Sequence, residues 1–140
     1  MSIFLSIPLF AIALGASATS DEAALTTHLR PLTETDLGAD ALKSPGCYLH
    51  DGDRVLLVGT KLNGVLNWKG DLLLVRRAEG RGPPASGASY QANRFLLTVQ
   101  PDLNPSAGVT AGNRVDRPAR VALKSGKQQG QFDARWSCAI

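Results

Sequence analysis

Gln131-Phe132-Asp133-Ala134-Arg135-Trp136-Ser137-Cys138 alternates without a break. Phe132, Ala134, Trp136 and Cys138 fall on one side of an extended chain, and Gln131, Asp133, Arg135 and Ser137 fall on the other. Successive side chains of a strand point to opposite faces, so this period of two predicts a strand with one face in a core and one in water. Upstream, Phe95, Leu97 and Val99 alternate with Leu96, Thr98 and Gln100 in the same way. Compact apolar runs at 54–59, 65–68, 72–76 and 120–124 read as further strands, with Lys69-Gly70 as a tight hairpin turn and Ser125-Gly126-Lys127 as another turn. Five or six short strands imply a mainly β fold, an antiparallel sheet curled into a small barrel or sandwich.

Two stretches are loops by composition. Residues 79–87 (EGRGPPASG) are rich in Gly and Pro, and residues 101–118 hold three prolines among small polar residues. Each is either a mobile insertion or a functional loop. The chain has two cysteines, Cys47 before the first of these runs and Cys138 at the end of the last. A disulfide between them would join the opening of the sheet to its close.

An oxidising compartment is expected from the other end of the chain. Residues 1–18 (MSIFLSIPLFAIALGASA) are almost wholly apolar up to Leu14, and Ala16-Ser17-Ala18 offers the small-x-small pattern of signal-peptidase cleavage. The run is too short for a spanning helix, and no later segment of the sequence is longer, so no transmembrane segment is expected after cleavage. An uncleaved anchor is the alternative, because no Lys or Arg precedes the apolar run and Pro8 interrupts it. The expected location is therefore periplasmic or secreted. Residues 19–46 form a separate leader. Thr19 and Ser20 can cap a short helix that must stop before Pro31, a second helical stretch spans 34–43, and Ser44-Pro45-Gly46 ends the leader in a turn. The domain plan is a signal peptide at 1–18, an acidic helical or partly disordered leader at 19–46, and a disulfide-closed β domain at 47–140.

Charge divides along the same line. Residues 19–53 hold seven acids against Arg30 and Lys43, whereas thirteen Lys and Arg face five acids from Arg54 onward. A basic body can attract an anionic envelope component or an acidic protein, although scattered bases also serve simply as a solvated surface.

Catalytic and metal-binding patterns are sparse. Cys47 and His50 stand in a Cys-x-x-His pair, but only Cys138 and His28 remain to complete four zinc ligands. The turn His50-Asp51-Gly52-Asp53 lacks the ligand series of a calcium loop. Ser86 and Ser89 have no G-x-S-x-G or S-x-x-K context, and a triad using His50 with Asp51 or Asp53 has no positive support. No catalytic residue, cofactor or metal is therefore assigned. Nucleic acid is not an expected partner, since the mature chain's six aromatics are largely needed for a core of this size. Trp68, beside the Lys69-Gly70 turn, is the aromatic expected to be partly exposed, either as a contact residue or packed across the hairpin.

Ser86-Gly87-Ala88-Ser89-Tyr90 resembles the S-G-x-x-Y loop motif of the bacterial inhibitors of c-type lysozyme, which are small exported β-barrels with a disulfide to the last strand. Cys47, followed by the acidic turn Asp51-Gly52-Asp53 and a strand, is similar to that layout as well. The resemblance implies that Ser86 would enter the lysozyme cleft and meet its catalytic carboxylates, with Tyr90 as structural support. The family also carries a lysine in a strand soon after its motif, whereas the next lysine here is Lys124. The candidate binding residues are Ser86, Gly87, Ser89, Tyr90 and Trp68. The expected function is a non-enzymatic exported domain that binds a macromolecule or envelope component, with lysozyme inhibition and an unrecognised small hydrolase as alternatives.

Overall fold

The computed structural model describes residues 25–33, 35–37, 46–78 and 83–140. Within them lie ten strands: β1 (Leu29–Arg30), β2 (Cys47–Asp51), β3 (Arg54–Gly59), β4 (Asn63–Trp68), β5 (Asp71–Arg77), β6 (Ala88–Ala92), β7 (Phe95–Pro101), β8 (Val109–Ala111), β9 (Arg114–Ser125) and β10 (Gln128–Ala139). Eight of them close into an antiparallel barrel in the order β4-β3-β2-β10-β9-β7-β6-β5, with β5 pairing back onto β4. A barrel, rather than a sandwich, is the outcome. Each barrel strand after β2 lies beside the barrel strand that precedes it in the chain, so the architecture is an up-and-down meander. β1 adds to β4 and β8 to β9 outside the closed path.

The seam is made where the first barrel strand meets the last. Cys138 stands directly opposite Cys47 in the β10–β2 ladder, and the two sulfurs are bonded, with Cα atoms 4.1 Å apart. The bridge thus joins the start of the sheet to its end, as the placement of the cysteines implies.

Each inward face supplies apolar side chains. Leu49, Leu57, Leu66, Val75, Tyr90, Leu97, Val99, Val121, Leu123 and Trp136 are all buried in one core, joined by Ala134 and Cys138 from the final strand. The alternation read at 131–138 and 95–100 is the alternation observed, with Asp133 exposed between Ala134 and the partly buried Phe132. The Lys69-Gly70 turn is a two-residue hairpin with φ of 57° and 96°, the left-handed pair that matches strand twist.

Residues 101–118 are not a plain loop. After a 3-10 turn at Pro105–Ala107 the chain forms β8, turns at Gly112, and is already in β9 from Arg114. Pro118 is tolerated in that strand for a positional reason. Its carbonyl accepts from Asp102 N at 2.8 Å, so its nitrogen faces the same edge, and there the ladder is interrupted between the β8 pair Val109–Asp116 and the β7 pair Pro101–Ala119.

The leader is also partly strand. Residues 25–27 are helical, but Leu29 and Arg30 pair with Trp68 and Asn67, and Leu32 N donates to Val55 O at 2.7 Å. The segment enters where the β3–β4 ladder stops, because those strands pair only over Leu57–Gly59 and Gly64–Leu66. Leu25 and Leu29 then join the barrel core. Thr33 and Asp36 exchange reciprocal side-chain to backbone hydrogen bonds at 2.9 and 3.1 Å, a capping box opening the helical residues 35–37. The signal segment 1–18, its cleavage site, the caps at Thr19 and Ser20 and most of the stretch 34–43 lie outside the described residues.

Candidate functional site

Alternating strand direction gives the barrel two rims. Cys47, Gly59, Asn63, Arg77, Ala88, Pro101 and Arg114 begin or end strands at one rim; Trp68 and its hairpin turn lie at the other. The candidate binding residues are divided between them. Trp68 closes the far rim, edge-on to Phe95 at 4.9 Å and to His28 at 5.6 Å, and is partly buried against the core. Ser86, Gly87, Ser89 and Tyr90 are grouped at the Cys47 rim, so Trp68 and the Ser86 group do not form one surface.

The Ser86 loop is held by contacts that reach across the fold. Pro84–Ser86 is a single 3-10 turn, with Ala85 and Ser86 exposed. The Pro84 carbonyl accepts from Gly87 N at 3.0 Å and from the indole Nε1 of Trp136 at 2.8 Å, which ties the turn to the centre of the core. Gly87 has φ 118° and ψ 154°, a region open essentially to glycine, and a Cβ there would stand 3.0 Å from Val99 O. Arg77 Nη2 donates to Gly87 O at 3.3 Å, and its Nη1 donates to Lys61 O at 3.4 Å, bracing this loop against the β3–β4 loop. The backbone that carries the Ser86 hydroxyl is thus held in place, so binding it costs little backbone ordering entropy.

Tyr90 is fully buried, and its hydroxyl donates to Thr60 O at 2.8 Å. The ring lies against Gly59, where an added Cβ would be 2.7 Å from Tyr90 Cζ. Burial pushes the phenol from 10.0 up to about 12, against a smaller lowering by the Arg77 guanidinium. The folded state therefore keeps this proton at pH values where the unfolded chain loses it. The associated stability is complete below about pH 10 and is lost as pH rises toward 12. Urea midpoints are expected to fall across that window by more in the native protein than in Tyr90→Phe. At pH 8 the variant should be weaker by about 1 kcal/mol for its missing hydrogen bond. Parallel pH profiles would show that Tyr90 is not the group responsible.

Ser89 points outward from β6, its Oγ 2.9 Å from Thr98 Oγ1. With Ser86, Arg77, Thr98 and Gln100 it lines a shallow groove in which every polar side chain can donate a hydrogen bond. Lys124, the next lysine after the motif, projects from β9 beside Leu96 rather than from this groove.

His50 has a partner that the sequence did not suggest. Its Nε2 is 3.1 Å from Asp116 Oδ1, its Nδ1 is 3.0 Å from Gly52 O, and Arg135 Nε donates to Asp116 Oδ2 at 3.1 Å. These groups sit on the outer wall of β2, β9 and β10. In the barrel order β2 stands four strands from β6, so His50 and Ser89 face solvent on opposite walls. Asp51 and Asp53 are exposed at the far rim. No group of three or more His, Cys, Asp or Glu among the described residues is placed to hold a metal ion. No helix among them is long and apolar enough to cross a membrane. The chain matches no family model, no curated protein and no solved structure.

Proposed function

We propose that this chain is an exported, non-enzymatic binding domain that engages a macromolecule through the Ser86 loop, and that a c-type lysozyme is the partner to test first. The observation that carries the reading is the exposed Ser86 on a turn pinned by Trp136, Gly87 and Arg77. A rigid turn bearing hydroxyl and backbone donors can occupy a pair of carboxylates and, unlike a substrate, leave them nothing to cleave. The packed interior supports the rim as the working part, since Leu49, Leu57, Leu66, Tyr90, Leu97 and Val121 fill the space that a ligand-carrying barrel would leave open. The buried disulfide supports an oxidising compartment.

The purified, oxidised domain should inhibit lysis of bacterial cell walls by a c-type lysozyme, forming a one-to-one complex. Ser86→Ala should weaken inhibition by roughly 10- to 100-fold, the value of a hydrogen bond to a charged group. Absence of inhibition at micromolar excess, or full potency of Ser86→Ala, would remove lysozyme as the partner. The excess of bases over acids after Arg54 supports a second reading, attraction to an anionic envelope component. That binding would fall steeply with salt and be indifferent to Ser86→Ala. Turnover of ester or glycoside substrates would instead indicate a hydrolase.

A further inference from the structure

A second groove flanks the Ser86 turn. It measures about 360 Å³ and lies between Pro83, Pro84 and Ala85 on one side and Gly46, the Cys47–Cys138 bridge and Ile140 on the other, with Lys61 at its edge. That volume is near the lower end of small-molecule sites, which run from about 300 to 1,000 Å³. Its lining is apolar or backbone throughout, with Lys61 as its single ionisable side chain. Both sides are braced. Pro84 O is held by Trp136 and Gly87, and across the groove Gly46 O accepts from Ala139 N at 3.2 Å and from Arg114 Nη2 at 3.0 Å. The groove is therefore formed before any ligand arrives.

The surroundings indicate what would fill it. Two of the large apolar side chains that are strongly exposed border it, Ile140 in its lining and Leu62 next to Lys61 in the chain. An apolar surface bordered by polar and charged groups is the form that a protein-binding site takes. Charge points the same way. The described rim carries Lys61, Arg77, Arg114 and Arg117, with Asp102 as its exposed acid, and nearby Asp116 is already engaged by Arg135 and His50.

We infer that this groove is a subsite for an apolar side chain of the protein partner, with a neighbouring carboxylate of that partner placed at Lys61. The inference rests on the reading of this rim as the recognition face. It adds a hydrophobic anchor beside the Ser86 hydroxyl and a requirement for acid at one defined point.

The probe is the dipeptide N-acetyl-leucyl-aspartate amide, titrated into the oxidised protein and followed by ¹H–¹⁵N NMR. Saturable shifts are expected at the amides of Gly46, Lys61, Ala85 and Ala139. Replacing leucine by glycine should weaken binding about tenfold or more, and replacing aspartate by asparagine about two- to fivefold. Ala85→Trp, at an exposed position that fills the groove, should abolish the shifts, and Lys61→Ser should reproduce the loss seen with asparagine. Absence of saturation in the millimolar range, or shifts that persist unchanged in both variants, would overturn the subsite. Ser86→Ala should leave dipeptide binding intact, so the two readings separate. Dipeptide binding without lysozyme inhibition sinks only the lysozyme reading, and Ser86-dependent inhibition without dipeptide binding sinks only the subsite.

Discussion

Breaking the Cys47–Cys138 bridge is expected to lower the unfolding free energy by roughly 4 to 5 kcal/mol, the chain-entropy value for a closed loop of this size. The sequence separation is 91 residues, so the cross-link removes a large set of conformations from the unfolded chain. A single domain has only about 5–15 kcal/mol in total. The position of the bridge adds to the expectation. The seam between β2 and β10 is the long-range closure of the barrel and carries four residue pairs, from Arg135–His50 to Cys138–Cys47. Without the covalent tie those pairs must form against the full loss of chain entropy. Urea unfolding should be compared for oxidised protein, reduced protein and the Cys47→Ser, Cys138→Ser double variant. The variant has an extra cost, because both positions are buried and a hydroxyl there needs a partner. Reduced native protein isolates the cross-link, and coincident oxidised and reduced curves would show that it contributes nothing.

How much of this was legible in the sequence depends on how local each cause is. β10 and β7 are readable because their alternation is written residue by residue, and the β4–β5 turn is readable because Lys69-Gly70 accommodates two left-handed residues. β8 and the first half of β9 were hidden by prolines that read as loop. Pro118 fits a strand only because the neighbouring ladder is interrupted beside it, a fact about β7 and β8 rather than about residue 118. β6 was obscured likewise, since Ala88–Ala92 is short and enters directly from a Gly/Pro-rich segment. β1 has two residues and exists because β3 and β4 part company, which no window of leader sequence can reveal.

The candidate site divides in the same manner. Ser86 and Gly87 could be singled out from a five-residue pattern, and the positive φ at Gly87 gives that glycine a physical reason. What makes the turn rigid was not readable, because Trp136 and Pro84 are 52 residues apart and Arg77 bonds two loops at once. The His50–Asp116–Arg135 group spans 66 and 19 residues between partners, so sequence proximity pointed to Asp51 and Asp53 instead.

Trp136 is where packing and the proposed activity meet, and its two substitutions should separate them. Trp136→Ala is expected to cost about 3–5 kcal/mol, the range for emptying a large buried aromatic site, since Trp136 is 1 % exposed and belongs to the core cluster. Trp136→Phe keeps much of the apolar volume but deletes the indole donor to Pro84 O. That carbonyl retains Gly87 N as a partner, so the hydrogen-bond part of the loss should be about 1 kcal/mol and the fold should persist. The turn, however, loses its hydrogen bond to a side chain of the barrel core. Amide exchange at Gly87 should therefore accelerate in Trp136→Phe while exchange in β7 and β9 changes little, because local opening is governed by local contacts. Partner affinity should fall with it, since a mobile Ser86 must be ordered on binding. Unchanged Gly87 exchange would mean that the turn is held without the indole. Unchanged affinity in the face of faster exchange would mean that the rigidity of the Ser86 loop is a feature of the fold and has no part in recognition.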